Sequence, residues 1–131
     1  MKRRAQHGFT LIELMVVLAI IVIVLGFAAP RYQQSVLHAR EAALKQDLFT
    51  LRQAIDEFTL DKQRAPQSLD DLVQAGYLRV VPKDPITDSA ETWQVVQEDV
   101  LLSVDQTQPG ISDVKSSSNL MSTEGTAYSS W

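Results

Sequence analysis

The sequence has no cysteine. That excludes a disulfide framework, a thiol nucleophile and any thiolate metal site, and it leaves the redox compartment open. Glycine and proline are scarce, at five each, and neither occurs between Arg31 and Leu60, so nothing over that stretch interrupts a helix. His38 has Arg31, Ser35 and Glu41 nearby but no second imidazole, and it reads as a surface histidine rather than a ligand. Asp70 with Asp71, and Glu98 with Asp99, are adjacent in sequence and point apart on a helix or strand, so neither is an acid/base pair. A phosphate-cradling glycine loop and a nucleophile elbow are both missing. Basic charge is also in short supply. The net charge is −4, and loss of the first eight residues, with Lys2, Arg3 and Arg4, would take it to −7. An acidic chain of this kind does not suit nucleic acid, which selects a basic stripe. The chain is not expected to be an enzyme.

What is present is an apolar run from Gly8 to Pro30, GFTLIELMVVLAIIVIVLGFAAP, broken by a single ionisable side chain, Glu13. It matches the roughly 20 residues that span a bilayer. A cleaved secretory signal is the competing reading, since Gly26 and Ala28 form a small-x-small pair. The run is longer than an ordinary signal core, however, and an acid inside it costs a few kcal/mol of about the size seen for intramembrane charges. Lys2, Arg3 and Arg4 orient the segment with its N-terminus in the cytoplasm. About 100 residues remain for a soluble part, enough for a modest core and not for a large cleft.

Read as they stand, Gly8, Phe9 and Glu13 in GFTLIEL, behind a short basic leader, resemble the class III signal of type IV pilins and of type II secretion pseudopilins. The phrase RAPQSLDDLVQAGYL is similar to the segment that follows the long helix in major pseudopilins, which extends the match to about residue 85. The resemblance implies a leader, 1–8, removed by a prepilin peptidase that cuts after Gly8 and methylates Phe9. It implies a transmembrane and polymerisation helix over 9–30 and a periplasmic head over 31–131. It also implies a bacterial inner-membrane location, a homopolymer, and as partners the minor pseudopilins, the inner-membrane assembly platform and the secretion ATPase. A type IV pilus subunit is the first alternative, and a membrane-tethered enzyme or binding module is an alternative of another class. The missing cysteine, and with it the disulfide loop of one large pilin class, favours the secretion reading.

The register has a physical logic of its own. Cutting after Gly8 places an ammonium on Phe9, at a helix end that already carries partial positive charge. Glu13, one turn on, can offset that end and the ammonium of a neighbouring subunit, because a pair in a low-dielectric medium costs less than an isolated charge. The alternative is that Glu13 only snorkels to the headgroups. Gly26 and Pro30 are weak points. Proline lacks the amide that would bond the Gly26 carbonyl, so the helix either kinks and melts there during packing or tolerates both residues as membrane helices do.

Beyond the anchor, Leu44, Leu48, Leu51, Ile55 and Phe58 recur at helical spacing and define one apolar stripe. The spacing predicts a single helix from about Phe9 to about Leu60, ending in the polar run closed by Pro66. Ser68 with Asp71 predicts a capping box for a short helix stopped by Gly76. Val80 to Pro85 reads as a loop bracketed by prolines. Thr92 to Gln97, Val100 to Val104 and Ile111 to Lys115 are β-prone. The fold class is therefore α+β: a long N-terminal helix packed against a short helix and a small antiparallel sheet, with Trp93 at the junction. No cofactor is required. The resemblance does imply a calcium loop toward the C-terminus, for which the oxygens here are Asp113, Asn119, Ser122 and Glu124. The aspartate-rich phrase of that loop is absent, and the alternative is a solvated loop pinned by Tyr128 and Trp131.

Overall fold

The computed structural model describes residues 8–98 and 108–131. The basic leader residues, His7 and the strand expected at Val100 to Val104 lie outside the described residues. The chain divides into two compact units at Leu37/His38.

The element order is α1 (Leu11–Lys62), α2 (Leu69–Gln74), β1 (Gln94–Glu98) and β2 (Gly110–Lys115), followed by a 3-10 turn, Tyr128–Ser130. Helix α1 starts two residues later than its apolar pattern suggests, because Thr10 caps it. The Glu13 amide donates to Thr10 Oγ1 at 3.2 Å and the Thr10 amide donates to Glu13 Oε2 at 3.0 Å. This threonine-x-x-glutamate arrangement is a capping box, which satisfies amides that have no partner within the helix. The helix runs unbroken through Gly26 and Pro30. In the first unit its side chains are exposed along the whole apolar stretch. Among the described residues it is the helix long and apolar enough to cross a membrane.

In the second unit the expected stripe forms the core. Leu44, Leu48, Leu51, Ile55 and Phe58 are all buried, with Ala54 between them. Leu72 from α2, Ile111 and Val114 from β2, and Tyr128 pack against that stripe. Full burial of each large aliphatic or aromatic side chain contributes about 1.5–3 kcal/mol, so this cluster dominates the stability of the head. Helix α2 carries the expected box: Ser68 Oγ accepts from the Asp71 amide, and Asp71 Oδ2 accepts from the Ser68 amide. It ends at Gln74, and Gly76 follows with φ +88°, a left-handed turn that favours glycine.

Strands β1 and β2 pair antiparallel, Gln94 opposite Lys115 and Glu98 opposite Gly110, with a bulge between Val96 and Gln97. The first and third β-prone stretches are thus direct partners. Strand β2 lies on the core, while every residue of β1 is exposed. Trp93 is buried at the junction, as its position suggests, and its Nε1–H donates to the Pro82 carbonyl at 2.8 Å. The loop before it is closed by Asp84, fully buried, which pairs with Ser89 and accepts from Ser116 Oγ and the Ile86 amide. Gly110 is required for packing. A Cβ there would stand 2.3 Å from the Ala65 Cβ, at the point where the Ile111 amide donates to the Pro66 carbonyl.

Candidate functional site

Each unit carries its own candidate site. In the first, Gly8, Phe9 and Thr10 precede the helix and are exposed. A peptidase needs accessible backbone outside regular structure, and the Gly8–Phe9 bond is exposed and non-helical, whereas the chain is helical from Leu11. Glu13 sits one turn in. Its Oε2 is used by the Thr10 amide, and among the described residues its Oε1 accepts no hydrogen bond. One carboxylate oxygen is therefore committed to capping its own helix, and the other is available to a cation. The cap could have been found in the sequence as Thr10-x-x-Glu13, the pattern applied to Ser68 and Asp71. Gly26 has no atom outside its own helix turn within 4 Å of where a side chain would start, so the helix surface there is open.

In the second unit the structure places the four candidate calcium oxygens on different partners. Asp113 Oδ1 accepts from Arg52 Nε at 2.7 Å and from the Val114 amide at 2.8 Å. Glu124 Oε1 pairs with Lys45 Nζ. Ser122 Oγ accepts from the Glu124 and Thr126 amides. Asn119 Oδ1 accepts from Ser129 Oγ. Ser122 and Glu124 share a turn; Asn119 and Asp113 are engaged elsewhere. Among the described residues no three His, Cys, Asp or Glu side chains are grouped to hold a metal.

Sequence reasoning missed Glu41. It lies at the edge of the stripe, three residues before Leu44, and only its charge hid it. The residue is 5% exposed. Its Oε1 accepts from the Thr123 amide at 2.8 Å and from the Tyr128 hydroxyl at 2.7 Å, and its Oε2 accepts from Thr123 Oγ1. Burial alone would push the Glu41 carboxyl up, but the hydrogen bonds from Thr123 and Tyr128, helped by His38, outweigh it and hold the pKa below the usual glutamate value. Burial, then the hydrogen bond and charge of Glu41, push the Tyr128 phenol up to about 12. Asp47 moves the other way for a carboxylate, raised by burial and by the charge of Asp84.

These shifts set a pH window. Glu41, depressed in the folded state, contributes stability that is present above its unfolded value of about 4.3 and is lost as pH falls through the folded one. Asp47, raised in the folded state, gains as pH falls and partly offsets that loss. Tyr128 contributes stability present below its unfolded value of about 10 and lost as pH rises toward 12. Thermal unfolding followed against pH is expected to show a plateau with an acid and an alkaline fall, and the alkaline fall shrinks in Tyr128→Phe.

Comparison with known proteins bears on both units. Residues 3–29 match the family model described as the prokaryotic N-terminal methylation motif. The type II secretion system core protein G of Klebsiella michiganensis is 33% identical over 101 residues, 65% of this chain and 71% of that protein. The core protein G of Pseudomonas aeruginosa is 34% identical over the same shares. The chain belongs to the type II secretion system core protein G family. The type IV major fimbrial protein FimA of Dichelobacter nodosus is 39% identical over 62 residues, 47% of this chain and 39% of that protein. No solved structure matches significantly. Membership in the core protein G family agrees with the α+β architecture and gives the exposed apolar half of α1 its role as an anchor.

Proposed function

We propose that this chain is a structural subunit of a type II secretion pseudopilus, cut between Gly8 and Phe9, methylated on Phe9 and polymerised through α1. The observation that carries the reading is the exposed, non-helical Gly8–Phe9 bond set one turn before Glu13 at the head of an exposed apolar helix. Family membership supports it. The chain spans the bacterial inner membrane once, with the leader in the cytoplasm before processing and the head in the periplasm. Glu13 Oε1 accepts the Phe9 ammonium of the next subunit. Gly26 and Pro30 mark where the helix yields when subunits pack. Prepilin peptidase, the minor pseudopilins, the assembly platform and the secretion ATPase are its partners, and growth of the filament helps move proteins across the outer membrane.

Mass spectrometry of the mature protein tests the processing step. The expected N-terminus is methylated Phe9; an N-terminus at Ala29 means an ordinary signal peptide and overturns the proposal. The match to a fimbrial protein favours one second reading, a type IV pilus subunit. Deleting the gene discriminates: a secretion defect without loss of surface fibres supports the pseudopilus, and loss of long extracellular fibres with secretion intact supports the pilus.

A further inference from the structure

The segment from Ser116 to Trp131 contributes few apolar side chains, yet it lies against α1 and closes the core. The family resemblance implies that calcium holds this segment. Calcium takes six to eight oxygens, carboxylates foremost, and the residues here do not fit it. The two acids among the candidates are each matched by a cation from α1: Asp113 by the Arg52 guanidinium and Glu124 by the Lys45 ammonium. A divalent ion placed beside them would meet two positive charges. The neutral candidates are engaged as well, Ser122 Oγ by two amides and Asn119 Oδ1 by Ser129.

The attachment runs in the opposite sense. In place of an ion that gathers carboxylates from the loop, a carboxylate on α1 gathers donors from the loop. Glu41 takes the Thr123 amide, the Thr123 hydroxyl and the Tyr128 hydroxyl at once. Lys45, one turn on, adds its ammonium to Glu124 and lies 4.8 Å from the centre of the Trp131 ring. Arg52, two turns further, bonds Asp113, the Val114 carbonyl and the Trp131 main-chain oxygen. The three side chains form a polar row beside the apolar stripe. Among the described residues no buried side-chain polar atom is left unpaired.

We infer that Glu41, with Lys45 and Arg52, fastens the C-terminal loop to α1 in the place of a metal ion, and that the head folds independently of calcium. A carboxylate accepting two or three hydrogen bonds is a strong fastening, because bonds to a charged group are about twice as strong as neutral ones. The charged or titratable groups facing Glu41 are His38 from its own helix, 3.9 Å away, and Tyr128 from the 3-10 turn.

The test uses the full chain in detergent micelles, with unfolding followed by near-ultraviolet circular dichroism. The melting temperature is expected to be the same in millimolar calcium chloride as in excess EDTA. Glu41→Gln is expected to lower it by about 5–10 °C, and Thr123→Val, which keeps the backbone amide, by about 5 °C. If Glu41→Gln does not fold, Thr123→Val carries the test. A melting temperature several degrees higher in calcium than in EDTA would overturn the inference, as would wild-type melting of both variants.

Discussion

Replacing Glu13 by leucine is expected to leave the cut after Gly8 intact and to abolish filaments. The leucine makes the anchor more apolar, so insertion improves: an acid at the centre of a membrane helix costs about 2.5–3.5 kcal/mol on insertion scales, and one near its end, like Glu13, costs less. Loss of assembly therefore cannot be blamed on a failure to reach the membrane. On the proposed assembly, what disappears is the partner of the neighbouring Phe9 ammonium. Removing one member of a desolvated pair strands the other, at a cost of about 3–5 kcal/mol, which is more than a hundred-fold in subunit affinity. The same substitution also removes the reciprocal half of the capping box, the bond from the Thr10 amide to Glu13 Oε2, while the bond from the residue-13 amide to Thr10 Oγ1 remains, and the two effects need separating. Glu13→Gln keeps an oxygen for the Thr10 amide and removes only the charge. Filaments counted by electron microscopy should be missing in both variants. Normal filaments with glutamine would show that the cap, and not the charge, is what assembly uses.

The second large effect is in the head. Phe58→Ala is expected to destabilise it by about 3–5 kcal/mol, the range for emptying a buried phenylalanine site. Phe58 is 2% exposed, so nearly all of its surface is lost contact. The ring also meets Tyr77 edge-on, with centroids 5.6 Å apart, and Arg64 stands over it at 5.5 Å. Tyr77 in turn donates its hydroxyl to Asp61 at 2.7 Å. The end of α1 and the segment after α2 thus meet at this ring as well as at the Tyr77–Asp61 hydrogen bond, and the site collapses only by moving both. A domain of this size has roughly 5–14 kcal/mol in all, so about a fifth or more of it goes. The melting temperature should fall by about 15 °C or more. A fall of only a few degrees would mean that the cavity fills from Leu78 or Val73.

How much of this was legible in the sequence differs by element. The stripe from Leu44 to Phe58 was, because a period near 3.6 across a stretch free of glycine and proline leaves no other regular structure. The box at Ser68 and Asp71 was, because its pattern is local. The placing of Trp93 followed from its size at the only junction available. Glu41 was not, because a glutamate on an apolar face reads as a breach of the pattern until its donors, 82 and 87 residues away, are known. Arg52 is hidden for the same reason: its partners lie 61 to 79 residues further on. The cap at Thr10 was hidden differently. Glu13 serves two ends at once, and the rarity of an acid in an apolar run masks its local pairing with Thr10.

Those long separations carry a consequence for how the protein is made. Closing a loop of this length costs entropy that grows with the logarithm of its length, and contacts can repay it only after both ends exist. At ribosomal speeds of about 5–20 residues per second, the anchor is synthesised seconds before Thr123, Tyr128 and Trp131. During that interval the stripe on α1 is uncovered, and a greasy face beside a greasy anchor invites aggregation. Under the topology proposed above, the head crosses the membrane as an open chain and shuts late, from its far end. A ribosome stalled before Thr123 would leave an anchored helix with its core still facing water.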